Sequence, residues 1–110
     1  MPAGRQVSRR RTLPDVAYSF SSRAILDTEA LYAASLAQFG QRAADRYFAI
    51  MLDAAQFASD HPLAAPERVD CLIPVRVRYF GAHLLVYRLA GDDVVIVRVF
   101  HQSQDWIDLL

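Results

Sequence analysis

Arg76, Arg78, Arg88, Arg98 and His101 lie in one C-terminal stretch of the chain, set among apolar residues at alternating positions. Guanidinium groups on strands hold phosphates or carboxylates through paired hydrogen bonds. A histidine beside them can give or take a proton, and positive charge next to a proton-transfer group is what phosphoester cleavage needs. One reading therefore places Arg76, Arg78, Arg98 and His101 around the scissile phosphate of an RNA, with Tyr79 and Tyr87 free to stack on bases. The competing reading pairs the arginines with acids on the surface or on a partner and makes the tyrosines core or interface residues. The stretch has no lysine or glutamate to complete an acid–base pair, and Glu67 falls in the segment before it.

Other chemistries find little in the chain. Cys71 is the only cysteine, so there is neither an internal disulfide nor a paired metal-ligand spacing, and no histidine stands beside it in sequence. HExxH, glycine-rich phosphate loops and dinucleotide fingerprints are absent. No cofactor and no metal are expected. The formal charge is zero, and every one of the 12 basic residues is arginine. Residues 1 to 14 hold Arg5, Arg9, Arg10 and Arg11 with no acid, which leaves a net charge of −4 on the remainder. No run approaches the roughly 18 to 20 apolar residues of a membrane span, and no apolar signal region follows the basic start, so a cytoplasmic protein without membrane contact is expected.

The elements that must carry these residues follow from periodicity. With 110 residues there is room for one small domain, marginal enough for a partner to matter. Residues 1 to 15 show no apolar period and read as a mobile, Arg-rich N-terminal tail; residues 16 to 110 form the domain. Val16, Tyr18 and Phe20 alternate as a first strand. Ser21 or Ser22 then caps a helix with Ile25, Tyr32, Leu36 and Phe39 as its apolar positions, ending at Gly40. A second helix carries Ala44, Tyr47, Phe48, Met51, Ala55 and Ala58 at spacings of three and four and stops before Pro62, so the two form an antiparallel hairpin. After a loop over 61 to 70, a three-stranded antiparallel meander runs from Leu72 to His101, turning at Gly81-Ala82 and at Gly91-Asp92-Asp93. It is apolar on both faces. One face takes the helical hairpin, and the other is left for a partner segment.

The order β-α-α-β-β-β, with Gly40 between the helices, His61-Pro62 after the second, Arg76, Gly81, Tyr87-Arg88, and Arg98-Val-Phe-His101 followed by Asp105, resembles the ParE branch of the RelE/ParE superfamily of bacterial toxins over residues 16 to 110. The resemblance implies an α+β fold, a helical hairpin packed on an antiparallel sheet with a short C-terminal helix or tail. It implies the toxic component of a type II toxin-antitoxin (plasmid stabilisation) module that poisons DNA gyrase without catalysis. It further implies a hetero-oligomer with a ParD-like antitoxin, a ribbon-helix-helix dimer with an amphipathic C-terminal segment. Partner contacts would then fall to Arg76, Arg78, Tyr87, Arg88, Arg98, His101 and Asp105. Arg76 and Arg98 match arginines shared by both branches, and His101-Gln-Ser-Gln-Asp105 is similar to the ParE ending. The terminal catalytic tyrosine of RelE-like enzymes has no match, which leaves a RelE-like mRNA endoribonuclease as the alternative. An acidic antitoxin segment would gain only about 0.2 to 1 kcal/mol per exposed ion pair, so apolar burial must dominate its binding.

Overall fold

A serine hydroxyl starts the first helix and also ties it to the sheet. Ser21 Oγ accepts the Ala24 N–H at 3.1 Å and donates to the Val97 carbonyl at 3.0 Å. The computed structural model describes residues 18 to 110; the Arg-rich segment 1 to 15 and the expected strand start at Val16 lie outside the described residues. Seven elements follow in order: β1 (Tyr18–Phe20), α1 (Ser22–Phe39), α2 (Gln41–Asp60), β2 (Arg76–Phe80), β3 (His83–Ala90), β4 (Asp93–His101) and α3 (Trp106–Leu109). Gly40 ends α1 and opens α2 at a φ of 88°, its N–H bonded to Leu36 and its carbonyl to Ala44, which makes the hairpin turn a single residue.

The sheet order is β1-β4-β3-β2. The meander is antiparallel, as its short turns require, while β1 adds in parallel to the outer edge of β4, Tyr18 facing Val94 and Phe20 facing Ile96. A register shift opposite Val86 and Tyr87 leaves Val97 as an extra residue in β4, a bulge that re-aims the side chains after it. Strand β2 begins at Arg76, not near Leu72 as its apolar character suggests. Pro74 has no N–H for a ladder, and Leu72 is fully exposed, its relative accessibility 105%.

The core has one apolar cluster on each sheet face. Toward the hairpin, Met51, Ala54, Ala55 and Ala58 of α2 pack on Phe80, Leu85, Tyr87, Val94, Ile96 and Val99. The second face is not left for a partner: Val77, Leu84, Val86 and Phe100 are covered by Val75 and by Trp106 of α3, which is 7% exposed and stacks on Phe100. A four-residue helix is too short to show a period, and its tryptophan joins Val75, Cys71, Ile107 and Leu110 on this face. Helix α1 also departs from its pattern. Its buried positions are Ala24 and Thr28, whereas Ile25, Leu36 and Phe39 face outward, 45%, 42% and 65% exposed.

At the β2–β3 turn, Gly81 has a φ of 52°, and a Cβ there would lie 2.5 Å from the Tyr47 hydroxyl and 2.8 Å from its Cε1. Gly91, at the next turn, has a φ of 64° with nothing within 4 Å. Gly81→Ala is therefore expected to destabilise by about 2–4 kcal/mol, backbone strain plus overpacking. Gly91→Ala is expected to cost about 1 kcal/mol, strain alone. Urea denaturation of both variants checks the difference; equal losses would remove Tyr47 from the explanation.

Candidate partner-binding site

The residues singled out from sequence fall mainly into two groups, Arg76 and Arg78 with Tyr87, and Arg98 with His101, which line one cavity of about 290 Å³. Arg76 and Arg78 lie on the hairpin-facing side of β2, beside Tyr87 of β3, with which Arg76 is in register. Arg76 Nη1 donates to the Ala65 carbonyl, and the Arg78 guanidinium sits 3.8 Å over the Phe57 ring. Burial raises the Tyr87 hydroxyl above its ordinary pKa, and the charges of Arg76 and Arg78 offset part of that. Arg88, exposed, alternates to the opposite sheet face. The meander arginines therefore do not gather on one side.

Arg98 projects from the free half of the β4 edge to α1. Its Nε donates to Asp27 Oδ2 at 2.8 Å and its Nη2 to Oδ1 at 3.2 Å, while the Val99 N–H reaches Oδ2 at 2.9 Å. Both side chains of the pair are more than four-fifths buried, at 16% and 15% exposure. The guanidinium also covers the Phe100 ring and donates to the Leu109 carbonyl. Asp105, before α3, faces Asp108; a shared hydrogen bond and repulsion between these exposed carboxyls raise the pKa of Asp105.

His101 closes β4 directly opposite His83, which opens β3, the two rings meeting edge to face at 4.9 Å between centroids. His101 Nδ1 accepts the Ser103 N–H at 3.0 Å, which fixes the ring. His83 Nδ1 lies 2.7 Å from the Tyr47 hydroxyl, whose oxygen also accepts the Ala82 N–H at 3.1 Å. This group forms the floor of an open cleft of about 650 Å³, walled by Leu31, Ala34, Phe39, Ala43, Arg46 and Ile50 of the two helices. Phe39 and Ile50 are 65% and 42% exposed there. Tyr47, at a core spacing in α2, and His83, a strand residue, gave no sign of this role on their own. The signal available was the tight turn at Gly81 and Gly91, which sets the meander register and so places His83 against His101.

Chemically, the cleft offers apolar surface with a polar end, a form suited to binding. Of the four nuclease candidates, Arg98 and His101 line one cavity, with Arg98 held by Asp27, while Arg76 and Arg78 occupy the β2 edge. Among the described residues no group of three or more His, Cys, Asp or Glu could hold a metal ion, and no helix is long and apolar enough to cross a membrane.

Two outcomes follow. Asp27→Ala strands the Arg98 charge and the Val99 N–H and is expected to cost about 2–3 kcal/mol, somewhat below the value for a fully buried pair. In urea denaturation the Asp27→Ala, Arg98→Ala double variant should lose less than the sum of the single losses; strict additivity would show that the pair does not couple. Burial, then the nearby charge of His101, lowers the His83 pKa below its ordinary 6.5. The folded state thus disfavours the proton, so this contribution is complete above pH 6.5 and is lost as pH falls from there toward the lowered value. The thermal midpoint should drop between about pH 7.5 and 5.5, and less steeply in His83→Gln; parallel curves would refute the assignment.

A family model described as the ParE toxin of type II toxin-antitoxin system, parDE, matches residues 18–106. Among solved structures, the chain is similar to one from the chromosomal ParDE toxin-antitoxin system of P. aeruginosa, with a TM-score of 0.54 and 16% identity, covering 77% of this chain and 94% of that one. At that identity the likeness is one of fold. No curated protein matches the chain in a sequence search. The family model takes in both helices, all four strands and Arg98 through Asp105, and with that span the chain belongs to the ParE toxin family of type II toxin-antitoxin systems.

Proposed function

We propose that this toxin-family protein inhibits DNA gyrase by binding, without catalysing a reaction, and that a ParD-like antitoxin silences it by laying an amphipathic segment into the cleft between α1, α2 and the His83–His101 end of the sheet. The observation that carries the antitoxin half is the exposed apolar surface of Phe39 and Ile50 beside a cleft of about 650 Å³. An amphipathic helix presents anchors at spacings that suit such a groove. The second sheet face, the place that the strand pattern suggested for a partner, is already filled by Trp106 and its neighbours.

Support for a non-catalytic action comes from how the basic residues are used. An arginine whose Nε and Nη2 are both bonded to a largely buried aspartate contributes to orientation of α1 more than to a phosphate. His101 shares a cavity of about 290 Å³ with Arg98, but that guanidinium is already held by Asp27, and Arg78 lies in a separate cavity. Among the described residues no tyrosine follows β4, in keeping with the missing RelE-like terminal catalytic residue.

Purified gyrase incubated with a several-fold excess of the folded protein is expected to lose supercoiling activity and accumulate cleaved DNA; unchanged supercoiling would sink the gyrase target. New cleavage sites in cellular transcripts, mapped by primer extension after induction, would instead point to the ribonuclease. For the antitoxin, the double variant Phe39→Ala, Ile50→Ala should weaken binding by about 2–3 kcal/mol, from the apolar area no longer buried. Titration of the variant with the cognate antitoxin checks this, and undiminished affinity would move the antitoxin off the cleft.

A further inference from the structure

Of the 3 histidines in the chain, His83 and His101 face each other across adjacent strands. Both rings line the cleft of about 650 Å³ and also the neighbouring cavity of about 290 Å³. His101 is exposed and His83 half-buried. Each ring has an oxygen close to its Nδ1, the Tyr47 hydroxyl at 2.7 Å from His83 and Ser103 Oγ at 2.6 Å from His101. The nitrogen left over in both rings is Nε2, for which the described residues provide no hydrogen-bond partner.

An imidazole that holds a metal ion through one nitrogen donates the N–H of the other to an oxygen, and that second contact fixes the ring. Tyr47 suits this role for His83. Its oxygen accepts the Ala82 N–H, and with its own proton on the Phe80 carbonyl at 3.4 Å it can accept from Nδ1 as well. His101 must change tautomer, because its Nδ1 accepts the Ser103 N–H at 3.0 Å and the ring proton is then on Nε2. A cation at Nε2 shifts that proton to Nδ1, where Ser103 Oγ receives it, and the N–H of the exposed Ser103 turns to water. The number of bound protons is unchanged. Spacing fits as well. Zn–N bonds of about 2.0–2.1 Å at a near-tetrahedral angle place the centres of two imidazoles about 5 Å apart. The His83 and His101 centroids are 4.9 Å apart, with the ring planes at 80°.

We propose that His83 and His101 are the two protein ligands of a site for a late first-row divalent cation such as Zn²⁺, held between their Nε2 atoms. Imidazole nitrogen selects such ions over Mg²⁺ and Ca²⁺, which take oxygen ligands. No third His, Cys, Asp or Glu joins the pair among the described residues, so the ion keeps positions for water or for a donor group that enters the cleft. Of the cations lining the two cavities, Arg98 is paired with Asp27, and Arg46 is exposed on a long side chain that can turn away. An ion here ties β3 to β4 at the floor of the cleft and adds an electrophilic centre to a largely apolar surface. The site rests on neither the antitoxin nor the gyrase reading.

The test titrates the untagged full chain, whose residues 1 to 17 contain no histidine or cysteine, with ZnCl₂ near neutral pH under argon. Long-range ¹H–¹⁵N spectra follow each histidine ring nitrogen. Saturation at one equivalent with a midpoint below about 0.1 mM is expected, with joint shifts of His83 and His101 but not of His61. The His101 proton should arrive on Nδ1, and His83→Gln and His101→Gln should each bind at least about tenfold more weakly. Mg²⁺ at the same concentration should move neither ring. No saturation up to about 1 mM Zn²⁺, undiminished binding by either variant, or a His101 Nδ1 without its proton in the bound form overturns the proposal. Loss of binding in Cys71→Ser, with the His83 and His101 nitrogens unmoved, overturns it in favour of a thiolate site. Because His101 is exposed, His101→Gln carries the test even where His83→Gln folds poorly.

Discussion

The hydrogen bonds that Asp27 makes to Arg98 and to the Val99 N–H set the position of α1, and most of what lies outside the core follows from that position. β1 covers only Val94 to Ile96 of the outer β4 edge. Beyond it the edge is completed by the helix instead of a strand: the Ser21 N–H meets the Ile96 carbonyl, Ser21 Oγ meets the Val97 carbonyl, and Asp27 takes the Val99 N–H. A buried ion pair is weak evidence of net stability, because desolvation offsets much of the attraction. What it contributes here is direction. With Asp27 turned to the sheet, Ala24 and Thr28 follow it inward, and Ile25, Leu36 and Phe39 are turned out.

That rotation leaves α1 as a thin cover and α2 as the main one. α2 lays Met51, Ala54, Ala55 and Ala58 on the sheet, where small side chains permit close approach, and its Tyr47 reaches the Gly81 turn. The tyrosine hydroxyl is joined to two elements at once, accepting from the turn and meeting His83. The cleft above it is thus bounded by a hydrogen-bonded floor and by helix residues such as Phe39 and Ile50 that stay largely exposed. Surface left for binding and surface used for folding are divided along the same helix.

Local pattern revealed the element order well. Alternation, the glycine turns and the spacing of α2 mark all the strands and both long helices, and the residues expected in the core of α2 are buried or half-buried. The azimuth of α1 was hidden, because it depends on a carboxylate and a guanidinium 71 positions apart rather than on apolar spacing. The start of β2 was hidden by Leu72 and Ile73, apolar residues that Pro74 disconnects from the ladder. Arg98 and His101 were conspicuous in sequence, yet the first is engaged in holding α1 and the second acquires its setting from Tyr47, His83 and Ser103, which no short motif unites. Arg78 was noticed as a cation, but only its surroundings show that it lacks an acid.

The parallel pairing of β1 with β4 has a consequence for how the chain comes into being. Ser21 and Val97, joined across this pairing, are separated by 76 residues, so the first described strand waits through synthesis of both helices and two further strands for its neighbour. On a ribosome the hairpin emerges before the sheet that it must cover. Loop closure of that length is entropically demanding, and non-local pairing of this kind slows folding. The hairpin can nucleate early, but its inner face stays wet until β4 arrives, and a polypeptide stopped short of Val94 has no place for β1 to dock. Synthesis of the last strand therefore has to precede the docking of β1, and Trp106, which follows it, closes the second face last.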